Sequence, residues 1–272
     1  MLNFEPRLSP EMYARQLSCK LNLTYSVDAE EVVKELGLLY REKDLGKSSG
    51  YDGCLVRKNN KAAVIINANI AYKTRRNFTI AHELGHYLIK GHNKNIYNCA
   101  GKDIEGSFSG KGHESEANQF AVELLFPSQH AKSILKRNPL NMDLAKEMAA
   151  RYGTSLTSTL IRLVKQNDID CCAVILSEGS KVKWSITSTR FRRCYEVAPG
   201  YLSQDTYAYD FFIGKSIPQE SQNVRPGSWI SGDGVYDLSY IIEESVPFAN
   251  LGIVATLLTI PQDEDDYDNV DL

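Results

Sequence analysis

Apolar positions recur at helical spacing through most of the chain up to about residue 165. Beyond that they fall into short runs separated by polar breaks. Ser9-Pro10-Glu11 reads as a helix start, with Ser as N-cap, Pro at the first helical position and an acid in the first turn. That helix carries Met12, Leu17, Leu21 and Leu23 and is expected to end near Asn22 to Thr24. Asp28 caps a second helix through Val32, Val33 and Leu36, which Gly37 stops. Residues 43–53 are polar and Gly-rich and read as loop. Cys54 to Val56 and Ala62 to Ile66 are β-prone runs around the turn pair Asn59-Asn60, which predicts a hairpin. A buried-face helix follows, with Phe78, Ala81, Gly85, Leu88 and Ile89 in register and Gly91 as its stop.

Residues 92–112 are again polar and Gly-rich and read as a loop over the preceding helix. An amphipathic helix then runs from His113 to Pro127. Asn141 caps a helix from Met142 to Tyr152, Gly153 ends it, and Ser155 starts another through Leu160, Ile161 and Val164. Two short helices about a Gly turn have the outline of a helix-turn-helix. Lys132, Lys136, Arg137, Lys146, Arg151, Arg162 and Lys165 outnumber Asp143 and Glu147 there, which opens a DNA-binding reading; a solvated basic face is the commoner meaning of such a patch.

From Asp168 the texture changes. Cys172 to Leu176, Lys181 to Thr187 and Arg192 to Val197 are short strands, Pro218 to Pro226 is loop, and Phe248 to Ile260 is a final apolar run. The expected fold class is therefore α+β: a mainly helical first domain with a small sheet over residues 1–167, then a second α+β domain over 168–262, mostly antiparallel sheet. Tyr201, Tyr207, Tyr209, Phe211, Phe212 and Trp229 are read as core-packing aromatics, with a ligand pocket or base stacking as the sharper alternative. Residues 263–272 carry six acids and no base and read as a solvated acidic tail.

Composition narrows the setting. No apolar run approaches the roughly 20 residues that span a bilayer, and the first residues lack a basic region followed by an apolar one. The six cysteines are scattered without a C-x-x-C spacing, as free thiols in a reducing cytoplasm would be. The net charge of −3 sits in the acidic end, which leaves the rest of the chain net basic.

The chemistry lies in His82-Glu83-Leu84-Gly85-His86. On a helix the two histidines stack on one face and can share a metal ion. Glu83 beside them is placed as general base for zinc-dependent hydrolysis. Such a site needs a third protein ligand and an open position. Glu114 and Glu116 compete for that role. Glu114 shares an inward stripe with Asn118, Ala121 and Leu125, whereas Glu116 is turned roughly 200° away, so Glu114 is taken as ligand and Glu116 as a solvated charge. Asn118, one turn on, can orient a ligating histidine. His113 remains a loose third candidate and reads as a loop histidine. Cys99 can fill the open metal position as an inhibitory thiolate, although a plain loop thiol is the reading adopted. Tyr87 and His92 are near the motif in sequence only. A hairpin strand with a free edge beside the helix can take a substrate as an added strand, with a plain structural hairpin as the open alternative.

Arg76-Asn77-Phe78-Thr79-Ile80-Ala81-His82-Glu83-Leu84-Gly85-His86-Tyr87, followed by Glu114-x-Glu116-Ala117-Asn118-x-Phe120-Ala121-x-x-Leu124-Leu125-x-Pro127, resembles the ImmA/IrrE family of zinc metallopeptidases over about residues 10–165. Phe126 stands where that family usually has Met. The resemblance implies a zincin-like peptidase domain, Zn2+ held by His82, His86 and Glu114, and Glu83 as catalytic base. It implies a partner repressor of the Xre helix-turn-helix type as substrate, often encoded nearby, whose cleavage switches on a stress, mobile-element or defence response. Relatives commonly pack the helices after Pro127 into the peptidase domain, and some carry a GAF-like sensor domain after it. A regulator or toxin–antitoxin component that binds its partner or DNA without cutting is the alternative reading.

Overall fold

The computed structural model describes residues 8–46, 50–59, 61–100 and 112–261. The expected acidic tail, the Gly-rich centre of the 92–112 stretch and Asn60 of the predicted turn lie outside the described residues. The chain divides into two compact units. The first takes the chain up to Ser128 together with Met148–Ser155, and the second takes Gln129–Glu147 and the chain from Leu156 onward.

In the first unit, helix α1 spans Pro10–Lys20, and Ser9 Oγ accepts the Met12 amide at its start. Helix α2 spans Ala29–Glu35 and begins on the Asp28 carboxylate, which accepts from the Glu30 and Glu31 amides. Strands β1 Leu39–Lys43, β2 Tyr51–Lys58, β3 Lys61–Asn67 and β4 Ile96–Ala100 form one sheet in the order β1-β3-β2-β4. The predicted hairpin is the antiparallel β2–β3 pair, with Asn59 at φ +50° in its turn. Its strands are interior, however. The edges are β1, paired parallel to β3, and β4, paired antiparallel to β2. Neither hairpin strand therefore has a free edge, and part of the stretch expected as loop is strand.

Helix α3, Lys73–Leu88, lies against β2 and against helix α4, His113–Leu125. Their shared core includes Leu17, Val33, Leu55, Ile66, Ile80, Leu84, Phe120 and Leu124. Polar clamps fix the assembly. Asn77 of α3 accepts the Ala29 amide and donates to the Val27 carbonyl, both at 2.8 Å. Arg15 of α1 donates from Nε to the buried Glu123 of α4 at 2.8 Å and from Nη2 to Ser128 at 2.9 Å. Phe126 stacks on Tyr152 with ring centroids 4.1 Å apart.

The second unit is built on the antiparallel sheet β6-β5-β11-β10-β8, formed by β5 Cys171–Glu178, β6 Lys181–Thr187, β8 Gln222–Val224, β10 Ile241–Phe248 and β11 Ile253–Ile260. Two further short strands, β7 Glu196–Val197 and β9 Ile230–Ser231, pair separately. Helices α5 Ser128–Leu135 and α7 Leu156–Gln166 group with this unit, and α6 Met142–Tyr152 is shared between the two groupings. The contact division thus falls earlier than residue 167. Specific bonds explain it: Lys132 pairs with Asp168, the Leu140 amide donates to Asp170, the Met142 amide donates to Glu244, and α7 packs on β5 and β6. Helix α7 buries every residue from Thr159 to Val164. It is a core helix, unlike a recognition helix that presents a face to a groove.

Five of the six second-domain aromatics pack in or against the core, as expected. Tyr201, by contrast, is exposed beside the Lys181 ammonium. Burial pushes the Cys171 and Cys172 thiols up to about 12, so both are inert at neutral pH. No helix among the described residues is long and apolar enough to cross a membrane.

Glu243 of β10 anchors this unit. Its buried carboxylate accepts from the Tyr207 and Ala208 amides at the start of helix α8 (Tyr207–Phe212), from Trp229 Nε1 at 2.8 Å and from Ser245 Oγ at 2.8 Å. Burial raises its pKa, and these four hydrogen bonds act in opposition. Glu243→Leu would take the acceptor from the Tyr207 and Ala208 amides and from Trp229 Nε1, while Ser245 Oγ keeps Thr256 Oγ1 at 2.7 Å, and we expect it to lower the unfolding free energy by at least about 3 kcal/mol. Urea unfolding followed by tryptophan fluorescence reads this unit, because both tryptophans, Trp184 and Trp229, lie in it. A loss under about 1 kcal/mol would show that the carboxylate is not the anchor.

Candidate metal centre

The 3.6-residue turn of α3 stacks His82 and His86 on the face that meets α4. The helices approach closely because Gly85 lies between the two histidines. A Cβ added there would sit 3.0 Å from Ala117 Cα, 3.2 Å from Ala117 O and 3.2 Å from Phe120 Cβ. Strand β2 makes a similar approach on another side, where a Cβ on Gly53 would sit 2.9 Å from Thr79 Cγ2. With Gly85 against Ala117, the first turn of α4 carries Glu114 onto the histidine pair. Glu114 Oε2 lies 3.1 Å from His82 Nε2 and 3.2 Å from His86 Nε2, and the two Nε2 atoms are 3.0 Å apart.

These three distances carry the test of whether a metal fits. Tetrahedral zinc with bonds of about 2.0–2.1 Å separates its ligand atoms by roughly 3.3 Å. Three donor atoms converging this closely also cannot all be satisfied by protons, because the outer ring nitrogens are already committed. His82 Nδ1–H donates to Asn118 Oδ1 at 2.7 Å, which leaves the Nε2 lone pair facing the site. Glu116 Oε2 lies 2.7 Å from His92 Nε2 and accepts its proton, so His92 Nδ1 accepts from His86 Nδ1–H at 3.0 Å. The His86 Nε2 lone pair then faces the site as well. Each histidine is held in the tautomer a metal ligand requires. The donor set fits a cation.

Electrostatics agree with this. Burial, together with neighbouring His82 and His92, lowers the His86 pKa to about 4 against the opposing pull of the Glu114 carboxylate. Partial burial works against the Glu114 carboxylate, but the two imidazoles beside it prevail and hold its pKa well below the usual range. Glu83 is fully buried, and neither carboxylate oxygen makes a well-formed hydrogen bond. Burial raises its pKa well above the ordinary value, the nearby Glu114 charge adds to this, and the Leu55 backbone N–H opposes it. A buried carboxylate without hydrogen bonds is costly in a purely structural role.

The structure brings together His82, Glu83, His86, Glu114 and Asn118, all of which the sequence singled out. It corrects others. Glu116 is not a free solvated charge: it faces away from Glu114, and a neighbouring segment places His92 on that side. His113 opens α4, its ring 4.2 Å from that of His92 and its Nδ1 3.3 Å from Tyr97 Oη. Cys99 is buried in β4 opposite Gly53, and its sulfur lies within 4.8 Å of donor atoms of His82 and Glu83. Sequence reasoning missed Arg57 of β2. Its guanidinium donates to the carbonyls of His86 and Tyr87 at the end of α3 and to those of His92 and Lys94 beyond it. The one available signal was a basic residue closing an otherwise apolar strand. Tyr97 stacks on His86 with centroids 4.0 Å apart.

An H-E-x-x-H helix joined to a carboxylate from a second helix defines a metallopeptidase-type domain. Residues 33–164 match the family profile described as the IrrE N-terminal-like domain, peptidase M78, and this part of the chain belongs to the ImmA/IrrE family. A comparison with curated proteins gives no match. Among solved structures, a Mycobacterium tuberculosis transcriptional regulator is similar at 12% identity and a TM-score of 0.55, over 92% of this chain and 75% of that one, a likeness of fold.

The Gly85 approach generates a test. Gly85→Ala raises intrinsic helix propensity, yet its methyl meets α4 backbone, and overpacking of this kind typically costs about 1–3 kcal/mol. We expect Gly85→Ala to unfold at lower urea in the metal-free state and to bind Zn2+ at least about tenfold more weakly in competition with a chromophoric chelator. Unchanged stability and affinity would show that the approach does not set the donor spacing.

Proposed function

We propose that this chain is a zinc-dependent endopeptidase acting in the cytoplasm. Its substrate is a partner repressor of the helix-turn-helix type, and cleavage switches on a stress, mobile-element or defence programme. The observation that carries this reading is the set of three donor atoms at 3.0–3.2 Å beside the buried Glu83, which makes no well-formed hydrogen bond. Family membership supports the peptidase class, and the neighbour titled a transcriptional regulator is in keeping with a regulatory setting.

His82, His86 and Glu114 would hold the zinc, which supplies Lewis acidity to a water and to the scissile carbonyl when bound. Asn118 and the His92–Glu116 pair keep both histidines in the ligating tautomer. Glu83 takes the proton of the attacking water and returns it to the leaving amine nitrogen. Its raised pKa suits a group that must hold that proton between the two steps. An extended substrate segment can add to edge strand β4, where main-chain groups bind and side-chain positions select. Burial inside the first unit excludes bulk water from Glu83.

The test is to incubate the zinc-loaded protein with the product of its neighbouring gene and follow that protein by intact-mass spectrometry. One discrete cut is expected from wild type. Glu83→Gln should bind zinc and fold as before while losing cleavage by a factor of at least about a hundred. If Glu83→Gln retains the biological response although no cut forms, the non-cleaving regulator is the correct account. If it still cuts, the base assignment is wrong.

A further inference from the structure

A second convergence of donors lies behind the first. His92, His113 and Glu116 each place a ligand atom within 4.8 Å of the other two. His92 is buried, and His113 and Glu116 are partly exposed on one face of the first turn of α4, three residues apart. Two imidazoles and a carboxylate repeat the donor chemistry of the first site. The outer contacts are in place too. Tyr97 Oη, which accepts the Lys94 amide at 3.3 Å, sits 3.3 Å from His113 Nδ1 and can accept its proton, leaving His113 Nε2 to ligate. Arg57 Nη1 fixes the His92 carbonyl at 2.8 Å. None of the roles assigned to the first site uses His113.

We propose that His92, His113 and Glu116 form a second site for a divalent transition-metal cation of the zinc type, and that filling it opposes filling of the first. The second half rests on His86 being a ligand of the first ion. The present 2.7 Å between His92 Nε2 and Glu116 Oε2 is a hydrogen bond. A cation replaces that proton, and the partly exposed Glu116 swings out slightly to admit it. A neutral His92 ligating through Nε2 carries its remaining proton on Nδ1, the atom 3.0 Å from His86 Nδ1. When the first ion is bound through His86 Nε2, His86 Nδ1 also carries a proton. Two N–H groups cannot point at each other across 3.0 Å, so one contact must open. The second ion therefore binds more weakly in the presence of the first, and by reciprocity weakens it. The site acts as a gauge that lowers loading of the first site when free metal is abundant.

The test uses the full chain, stripped by chelator and equilibrated against rising Zn2+, with bound metal counted by mass spectrometry of the dialysed protein. Wild type is expected to take two ions per chain, the second at least about tenfold more weakly, the factor that about 1.4 kcal/mol of coupling produces. His113→Ala, which changes a residue with no role at the first site, should keep the tight ion and lose the weak one. His82→Ala should lose the tight ion and hold the remaining one more tightly than wild type holds its second. A wild-type chain that saturates at one ion, or a His113→Ala chain that still takes two, overturns the site. A His82→Ala chain whose ion binds no tighter overturns the opposition.

Discussion

Everything at the metal centre depends on how closely α3 and α4 approach. Two histidines one helical turn apart are easily placed by periodicity alone. The third donor has to come from a helix that starts 27 residues after His86, and its carboxylate must land within about 3 Å of both rings. Gly85 allows this because its missing Cβ lets the Ala117 backbone come close to α3 beside His82 and His86. The rest of the first unit holds that crossing in place. Arg15 ties α1 to Glu123 of α4, Asn77 ties α3 to the start of α2, and Arg57 binds the last turn of α3 and the segment leading to His92. These contacts are strung along both helices, so a shift in either one moves the donors.

The second constraint is where protons sit. A neutral histidine can ligate through one nitrogen while the other keeps its proton and donates it in a hydrogen bond, and His82 and His86 find different partners for that second nitrogen. His82 uses a single amide oxygen, Asn118 Oδ1. His86 uses a second histidine whose own proton is fixed by a carboxylate, Glu116. The first arrangement has one possible polarity. The second can in principle reverse, because either ring may donate across the Nδ1 pair. That difference separates a purely supporting residue from a pair that can serve another ion, and it makes His92 the point where the two donor sets are linked. Glu83 stands apart from both, buried without a well-formed hydrogen bond and raised in pKa, as a residue that must exchange a proton would be.

Much of this was legible in the chain. Capping residues placed α1 and α2, the apolar register placed α3, and the stripe Glu114, Asn118, Ala121 and Leu125 selected the inward face of α4. Strand β1 was not legible because Leu39–Lys43 is short, charged and exposed at an edge; what defines it is backbone pairing with β3, which leaves no side-chain pattern. β4 was hidden for a related reason: its Tyr97 and Cys99 alternate inward within an otherwise polar stretch that reads as loop. Glu116 shows a different limit. Its direction relative to Glu114 was readable, but what lay in that direction depended on where the chain after α3 returned. The grouping of α5 and α7 with the second sheet likewise rests on long-range bonds to Asp168, Asp170 and Glu244 that local periodicity cannot express.

The central claim is that this crossing of helices builds a three-ligand cation site. A crystal structure of the zinc-loaded protein, with anomalous scattering measured at the zinc edge, addresses it directly. The account predicts that the strongest peak lies about 2.0–2.2 Å from His82 Nε2, His86 Nε2 and a Glu114 carboxylate oxygen. A strongest peak elsewhere, or one ligated by Cys99 sulfur in place of Glu114, would contradict it.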